Sequence, residues 1–225
     1  MNFIEYSKEA LKTESKVNDV FCSRIKKLGW NERLEFGLLG ILSELYELEL
    51  ALKVENDKVN IKEEIGDVLW YIALLGDELN ILEKVNEAIL IMENILAEEK
   101  DNIDKAEEKI RKFMSDMLVN DFENLTLEDL NLADISRRIK FYFRTVNNEN
   151  KQKVERYKKI LEISLYDILF MRILPLMLMN NFSVEQIMKS NLKKLEKRYP
   201  NKIFEEKHAE NRDKEAERKI LKEEN

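Results

Sequence analysis

Residues 37–53 read GLLGILSELYELELALK and residues 62–75 read KEEIGDVLWYIALL. Around the first stretch, Leu34, Leu38, Ile41, Leu45, Leu48 and Leu52 recur every three or four residues, the period of a helix with one apolar face. That spacing predicts a helix from about Glu32 to Val54. Asn56 and Asp57 supply a turn. A second helix is predicted from about Ile61 to Asn80, with Ile65, Val68, Leu69, Ile72 and Leu75 on one side and Trp70, Tyr71 and Leu74 on others. A helix apolar nearly all round belongs in a core.

Four carboxylates interrupt this apolar pattern. Glu44 and Glu47 stand three residues apart on one face of the first helix, and Glu64 and Asp67 repeat the spacing on the second. The short turn makes the helices antiparallel neighbours, so the four acids converge between them. Clustered anions away from bulk water are costly unless a cation compensates them. Hard oxygen donors without histidine select Mg²⁺, with Mn²⁺ as a substitute, over zinc or copper. A second reading stays open at this point, in which the acids are surface residues paired with Lys53, Lys58 or Lys62.

The rest of the chain fits a helical frame. With five glycines and two prolines among 225 residues, the turns needed for a many-stranded sheet are missing, which makes the chain all-α. A net charge of −7 argues against general nucleic-acid binding, which needs a basic surface. Cys22 is the single cysteine and excludes an intramolecular disulfide, and the start MNFIEYSKEALKTE lacks the apolar segment of a secretory signal, so a cytoplasmic setting is expected. The longest apolar run, 168–179, is 12 residues and contains Arg172, too short to cross a bilayer. The only histidine, His208, removes sites that need two imidazoles.

Further helices are expected at about Phe3 to Lys27, Leu82 to Val119, Leu127 to Val146 (opened by Thr126-x-x-Asp129), Lys151 to Met179 with a kink at Pro175, and from the Ser183-x-x-Gln186 box to Tyr199, where Pro200 stops it. Residues 213–225 read as a charged tail, either a solvated helix or disordered. Residues 83–134 hold 15 acids and 6 bases, whereas 135–160 hold 2 acids and 9 bases. Two such blocks are either solvated faces that neutralise each other or, in the second, a phosphate-facing patch of Arg137, Arg138, Lys140 and Arg144.

The Glu-x-x-Glu run at 44–47 and the Glu-x-x-Asp run at 64–67 together resemble the signature of MazG-like nucleoside triphosphate pyrophosphohydrolases. IEYSKEALKTES near the start is similar to the first helix of such domains, and SNLKKLEKRYPNKIFEEKHAENR resembles their closing helix and tail. These matches cover about 1–82 and 181–212, roughly half the chain. The resemblance implies a MazG-like helical bundle in which Glu44, Glu47, Glu64 and Asp67 bind Mg²⁺ and a nucleoside triphosphate is hydrolysed to monophosphate and pyrophosphate, a role in nucleotide metabolism. Glu47 is the candidate catalytic base. Asn191, Lys194 and Arg198 match the closing motif and share one helical face as candidate phosphate ligands, the two cations being otherwise ordinary surface residues. Trp70 and Tyr71, and Trp30 beside them, read either as core or as candidates for stacking on the base.

Two departures stand out. Tyr46 occupies a position that is commonly glycine in the family, where it either crowds the site or fills a gap against a neighbouring helix. Residues 83–180 are an insertion relative to typical members. Setting DVLWYIALLGDELN (67–80) against DILFMRILPLMLMN (167–180) gives few identities and two readings: a degenerate second copy that binds no metal and forms an intramolecular pseudo-dimer, or an unrelated helical elaboration. A monomeric pseudo-dimer or a homodimer is the corresponding assembly. The rival function is a catalytically weak or inactive module that keeps the fold for nucleotide sensing or protein interaction.

Overall fold

The computed structural model describes residues 1–14, 26–55, 57–99, 102, 104–106, 108–113, 132–142, 145, 147–201, 203, 207 and 213–223. Every regular element among them is helical, and no strand occurs there. The expected helix start at Thr126, together with Cys22, Arg144 and His208, lies outside the described residues.

The first helix, α1, covers Phe3–Ala10 and opens with a capping box between Asn2 and Glu5. It is shorter than the predicted Phe3 to Lys27. A 3₁₀ turn over Leu11–Thr13 ends it, with Glu14 extended. The Thr13 hydroxyl donates to the Ala10 carbonyl at 2.7 Å, competing with the helical ladder, and Glu14 turns away to accept from Arg33.

Helix α2 (Glu32–Leu50) starts at the side-chain cap of Asn31 and passes into a π-helical turn, Ala51–Glu55, matching the predicted extent. Asp57 caps α3 (Lys58–Glu78) by accepting from the Val59 and Asn60 amides. The two helices run antiparallel: Arg33 near the start of α2 pairs with Asp77 and Glu78 at the end of α3. Glycine sets how closely they approach. A Cβ at Gly40 would sit 2.0 Å from Cε1 of Tyr71, and one at Gly37 would meet Leu74 and Leu75 at 2.7 Å. The Tyr71 ring therefore occupies the space a side chain at 40 would need.

The inserted segment contributes α4 (Leu82–Glu98), α5 (Leu132–Tyr142), α6 (Asn148–Asp167) and α7 (Leu174–Asn180), with a π-helical stretch Ile168–Ile173 between α6 and α7. The irregularity falls just ahead of Pro175, where the missing amide and ring clash are expected to disturb the ladder. The helix predicted over Leu82 to Val119 is interrupted after Glu98. Helix α4 packs on α1 and α3, and α5 packs on α2, where the Ser136 hydroxyl donates to Glu35 at 2.8 Å. Val85, Ile139 and Leu169 of the insertion join Leu38, Ile65 and Ile187 of the flanking segments in one continuous core.

Helix α8 (Val184–Arg198) begins with the predicted Ser183–Gln186 capping box and lies across α3 and α1. Of the two readings of the charged tail the helical one holds, but the helix is packed and not fully solvated. Lys214–Glu223 forms helix α9, packed on α8 and α3, with Glu217 and Leu221 buried.

Substituting Gly40→Ala should displace the Tyr71 ring and destabilise the protein by about 1–3 kcal/mol in denaturant unfolding, the range for overpacking a filled interface. Wild-type stability in this variant would show that the α2–α3 seam opens freely.

Candidate metal centre

The antiparallel seam brings α2's acids opposite those of α3. Glu44, Glu47 and Glu64 each present a carboxylate oxygen within 4.8 Å of the others. Two oxygens bound to one ion at about 2.1–2.4 Å are at most about 4.2–4.8 Å apart, so the three fit a single hard cation. Glu64 is buried, Glu44 half-buried and Glu47 exposed.

The electrostatics reflect this crowding. Burial, followed by the charges of Asp67 and Glu47, pushes the Glu44 carboxyl up to about 7, while the charge of Lys194 and then a hydrogen bond with Glu64 partly offset the shift. Burial, with Asp67 and then Glu44, pushes Glu64 up to about 8. Two facing carboxyls raised in this way are what an anion cluster adopts when cations balance it only in part. Among the described residues no lysine or arginine forms an ion pair with the trio.

Asp67 lines the same cleft and acts on Glu44 and Glu64 through its charge, but it is not in the 4.8 Å group and has its own partners. Its Oδ1 accepts from Asn191 Nδ2 at 2.8 Å and from Lys194 Nζ at 2.6 Å. The Lys194 side chain is fully buried and also reaches Glu63 Oε1 at 3.3 Å. Burial opposes its charge, but Asp67 and Glu63 outweigh that and hold the ammonium above its ordinary range. The Tyr6 hydroxyl donates to Asn191 Oδ1 at 2.9 Å, fixing which way the amide points. A Cβ at Gly66 would lie 3.1 Å from Asn191, so the glycine lets α8 settle against α3 here.

A cleft of about 590 Å³ opens over the trio, lined also by Phe36, Trp70, Tyr71, Arg198, Tyr199 and residues of α9. Trp70 and Tyr71 meet edge to face, with centroids 4.9 Å apart, and the Trp70 indole donates to the Ala10 carbonyl at 3.0 Å. Trp30 takes the core reading, fully buried and bonded to Glu35. Arg198 lines the cleft, but its Nε and Nη2 donate to Glu217 at 3.0 and 2.8 Å. Tyr46 neither crowds the centre nor fills a gap, because it is 61% exposed. Arg137, Arg138 and Lys140 are exposed on α5 and line no part of this cleft.

Thus the structure gathers Glu44, Glu47 and Glu64 and adds Trp70, Tyr71 and Arg198 to the same cleft, while Asn191 and Lys194 serve Asp67. Sequence reading missed Lys214, Glu217 and Arg218, which line the cleft from α9. The available signal was Leu221, four residues beyond Glu217 on the same helical face.

No family model, curated protein or solved structure matches the chain.

Carboxyls raised above their ordinary 4.5 bind more protons in the folded state, so their contribution is present at low pH and lost as pH rises through 7–8. In chelator, the melting temperature should therefore fall between pH 5 and 8.5, and millimolar Mg²⁺ should restore it most at pH 8.5, with proton release on binding. A Mg²⁺ effect independent of pH would contradict the trio as its site. The two acids of α3 should also respond oppositely to neutralisation in chelator. Glu64→Gln should raise the melting temperature, whereas Asp67→Asn should cost on the order of 3 kcal/mol because it strands the buried Lys194 charge. Equal shifts from both variants would contradict the separation of Asp67 from the trio.

Proposed function

We propose that this chain is a Mg²⁺-dependent, MazG-like nucleoside triphosphate pyrophosphohydrolase, releasing nucleoside monophosphate and pyrophosphate and acting in cytoplasmic nucleotide metabolism. The observation that carries this reading is the placement of three convergent carboxylates, with ligand oxygens within 4.8 Å, in a cleft of nucleotide size. The motif resemblance at Glu44, Glu47, Glu64 and Asp67 supports it independently.

In this reading Glu44, Glu47 and Glu64 hold the ion, which when bound neutralises phosphate charge and acts as a Lewis acid. Glu47, the most exposed of the three, orients the attacking water and accepts its proton. Water oxygen bonds to the α-phosphorus, the bond from that phosphorus to the bridging oxygen breaks, and pyrophosphate leaves. Trp70, fixed by its bond to Ala10, and Tyr71, seated over Gly40, form an aromatic wall for the base. Asn191 and Lys194 act through Asp67, holding the α3 side of the centre in place. The inserted helices take the place of a second subunit against α2, a role supported by the packing of α5 there.

One observation favours a second reading, a nucleotide-binding module without turnover: Lys194 neutralises one of the four family-type acids and Glu217 engages Arg198. Product analysis separates the two. With Mg²⁺ and a panel of common, deoxy and modified nucleoside triphosphates, the enzyme should form monophosphate and pyrophosphate in equal amounts, and Glu47→Gln should lower kcat by 10² or more without loss of helicity. Binding without product would establish the second reading, and release of orthophosphate would overturn the α–β cleavage.

A further inference from the structure

Lys214, Glu217 and Arg218 of α9 line the cleft and Leu221 is buried, four positions at i, i+3, i+4 and i+7 on one helical face. Three of them fasten the helix. Leu221 is buried, Glu217 accepts from Nε and Nη2 of Arg198, and Arg218 bonds to Asp57, the residue that caps α3. The fourth, Lys214, is exposed at the cleft.

The cations near the centre are otherwise matched by acids. Lys194 is paired with Asp67, Arg198 with Glu217 and Arg218 with Asp57. Among the described cations that line the cleft, Lys214 has no ion-pair partner. The centre itself leaves a deficit: three carboxylates exceed the charge of one divalent ion, so an incoming polyphosphate needs positive charge from another element. A lysine ammonium donates three hydrogen bonds without a fixed plane, which suits the freely rotating oxygens of a terminal phosphate.

We propose that Lys214 binds the terminal phosphates of the substrate, the portion that departs as pyrophosphate, and that α9 is fastened by Glu217 and Arg218 in order to present it. The identity of those phosphates rests on the pyrophosphohydrolase reading, which sets the α-phosphorus at the acidic trio and so directs the β and γ groups away from it. Lys214 is then the residue that separates triphosphates from monophosphates at this site.

Two measurements on the full-length protein test this, one of which needs no turnover. Calorimetric binding of inorganic pyrophosphate with Mg²⁺ should weaken about tenfold in Lys214→Ala and further in Lys214→Glu. Steady-state kinetics should show KM for the triphosphate rising by a similar factor, with a smaller change in kcat. Lys222→Ala, an exposed change on the same helix away from the cleft, should match wild type in both. The Mg²⁺-induced rise in melting temperature should be the same in all variants, which separates phosphate binding from loss of the metal centre or of the helix. Pyrophosphate affinity and KM within twofold of wild type in a folded Lys214→Ala would overturn the proposal, as would a wild type that does not bind pyrophosphate. If wild type hydrolyses no triphosphate, the function proposed above fails, and the calorimetry still decides whether Lys214 is a phosphate ligand.

Discussion

Carboxylates pressed together across a close helix seam are the constraint on which the rest of this structure depends. Gly37 and Gly40 let α2 and α3 approach until side chains on one helix would collide with any Cβ on the other. At that separation burial and neighbouring charges push the Glu44 and Glu64 carboxyls up, to about 7 and about 8. An arrangement tuned for stability alone would replace such groups with apolar ones, since paired burial of charge is often no better than good packing. Keeping them is the kind of local cost that functional sites carry.

All four acids line the cleft, but their partners differ. Asp67 is paired with the fully buried Lys194 and steadied by Asn191, which is itself held by Tyr6 of α1. Among the described residues, the other three form no ion pair with a lysine or arginine. Helices from both ends of the chain are therefore needed to set one helix's carboxylates, because α1 and α8 supply the partners that keep Asp67 out of the trio. The inserted helices share the core with these elements, so they stabilise the frame that holds the seam closed.

Much of this was legible in the sequence, for physical reasons that differ by element. The extents of α2 and α3, the Ser183–Gln186 cap and the disturbance before Pro175 follow from local periodicity, capping chemistry and the missing proline amide. The convergence of Glu44, Glu47 and Glu64 follows from two i,i+3 pairs joined by a short turn. The ion pairs do not: Lys194 and Asp67 are 127 residues apart, and no local pattern tells a buried lysine from a solvated one. The end of α1 at Thr13 was hidden because a hydroxyl bonding to its own turn and an acid recruited by a distant arginine outweigh intrinsic helix preference. The packed face of α9 was missed because its charged residues read as a solvated helix or a disordered tail, whereas Glu217 is buried by its bidentate bond to Arg198.

The central claim is that Glu44, Glu47 and Glu64 form one divalent-cation site from which Asp67 is set apart by Lys194. It is tested most directly by an anomalous difference map from crystals grown with Mn²⁺. The account predicts a peak within about 2.0–2.4 Å of an oxygen from each of the three glutamates, with Lys194 still on Asp67. A peak centred on Asp67 with Lys194 displaced, or no peak among the three glutamates at saturating Mn²⁺, would contradict it.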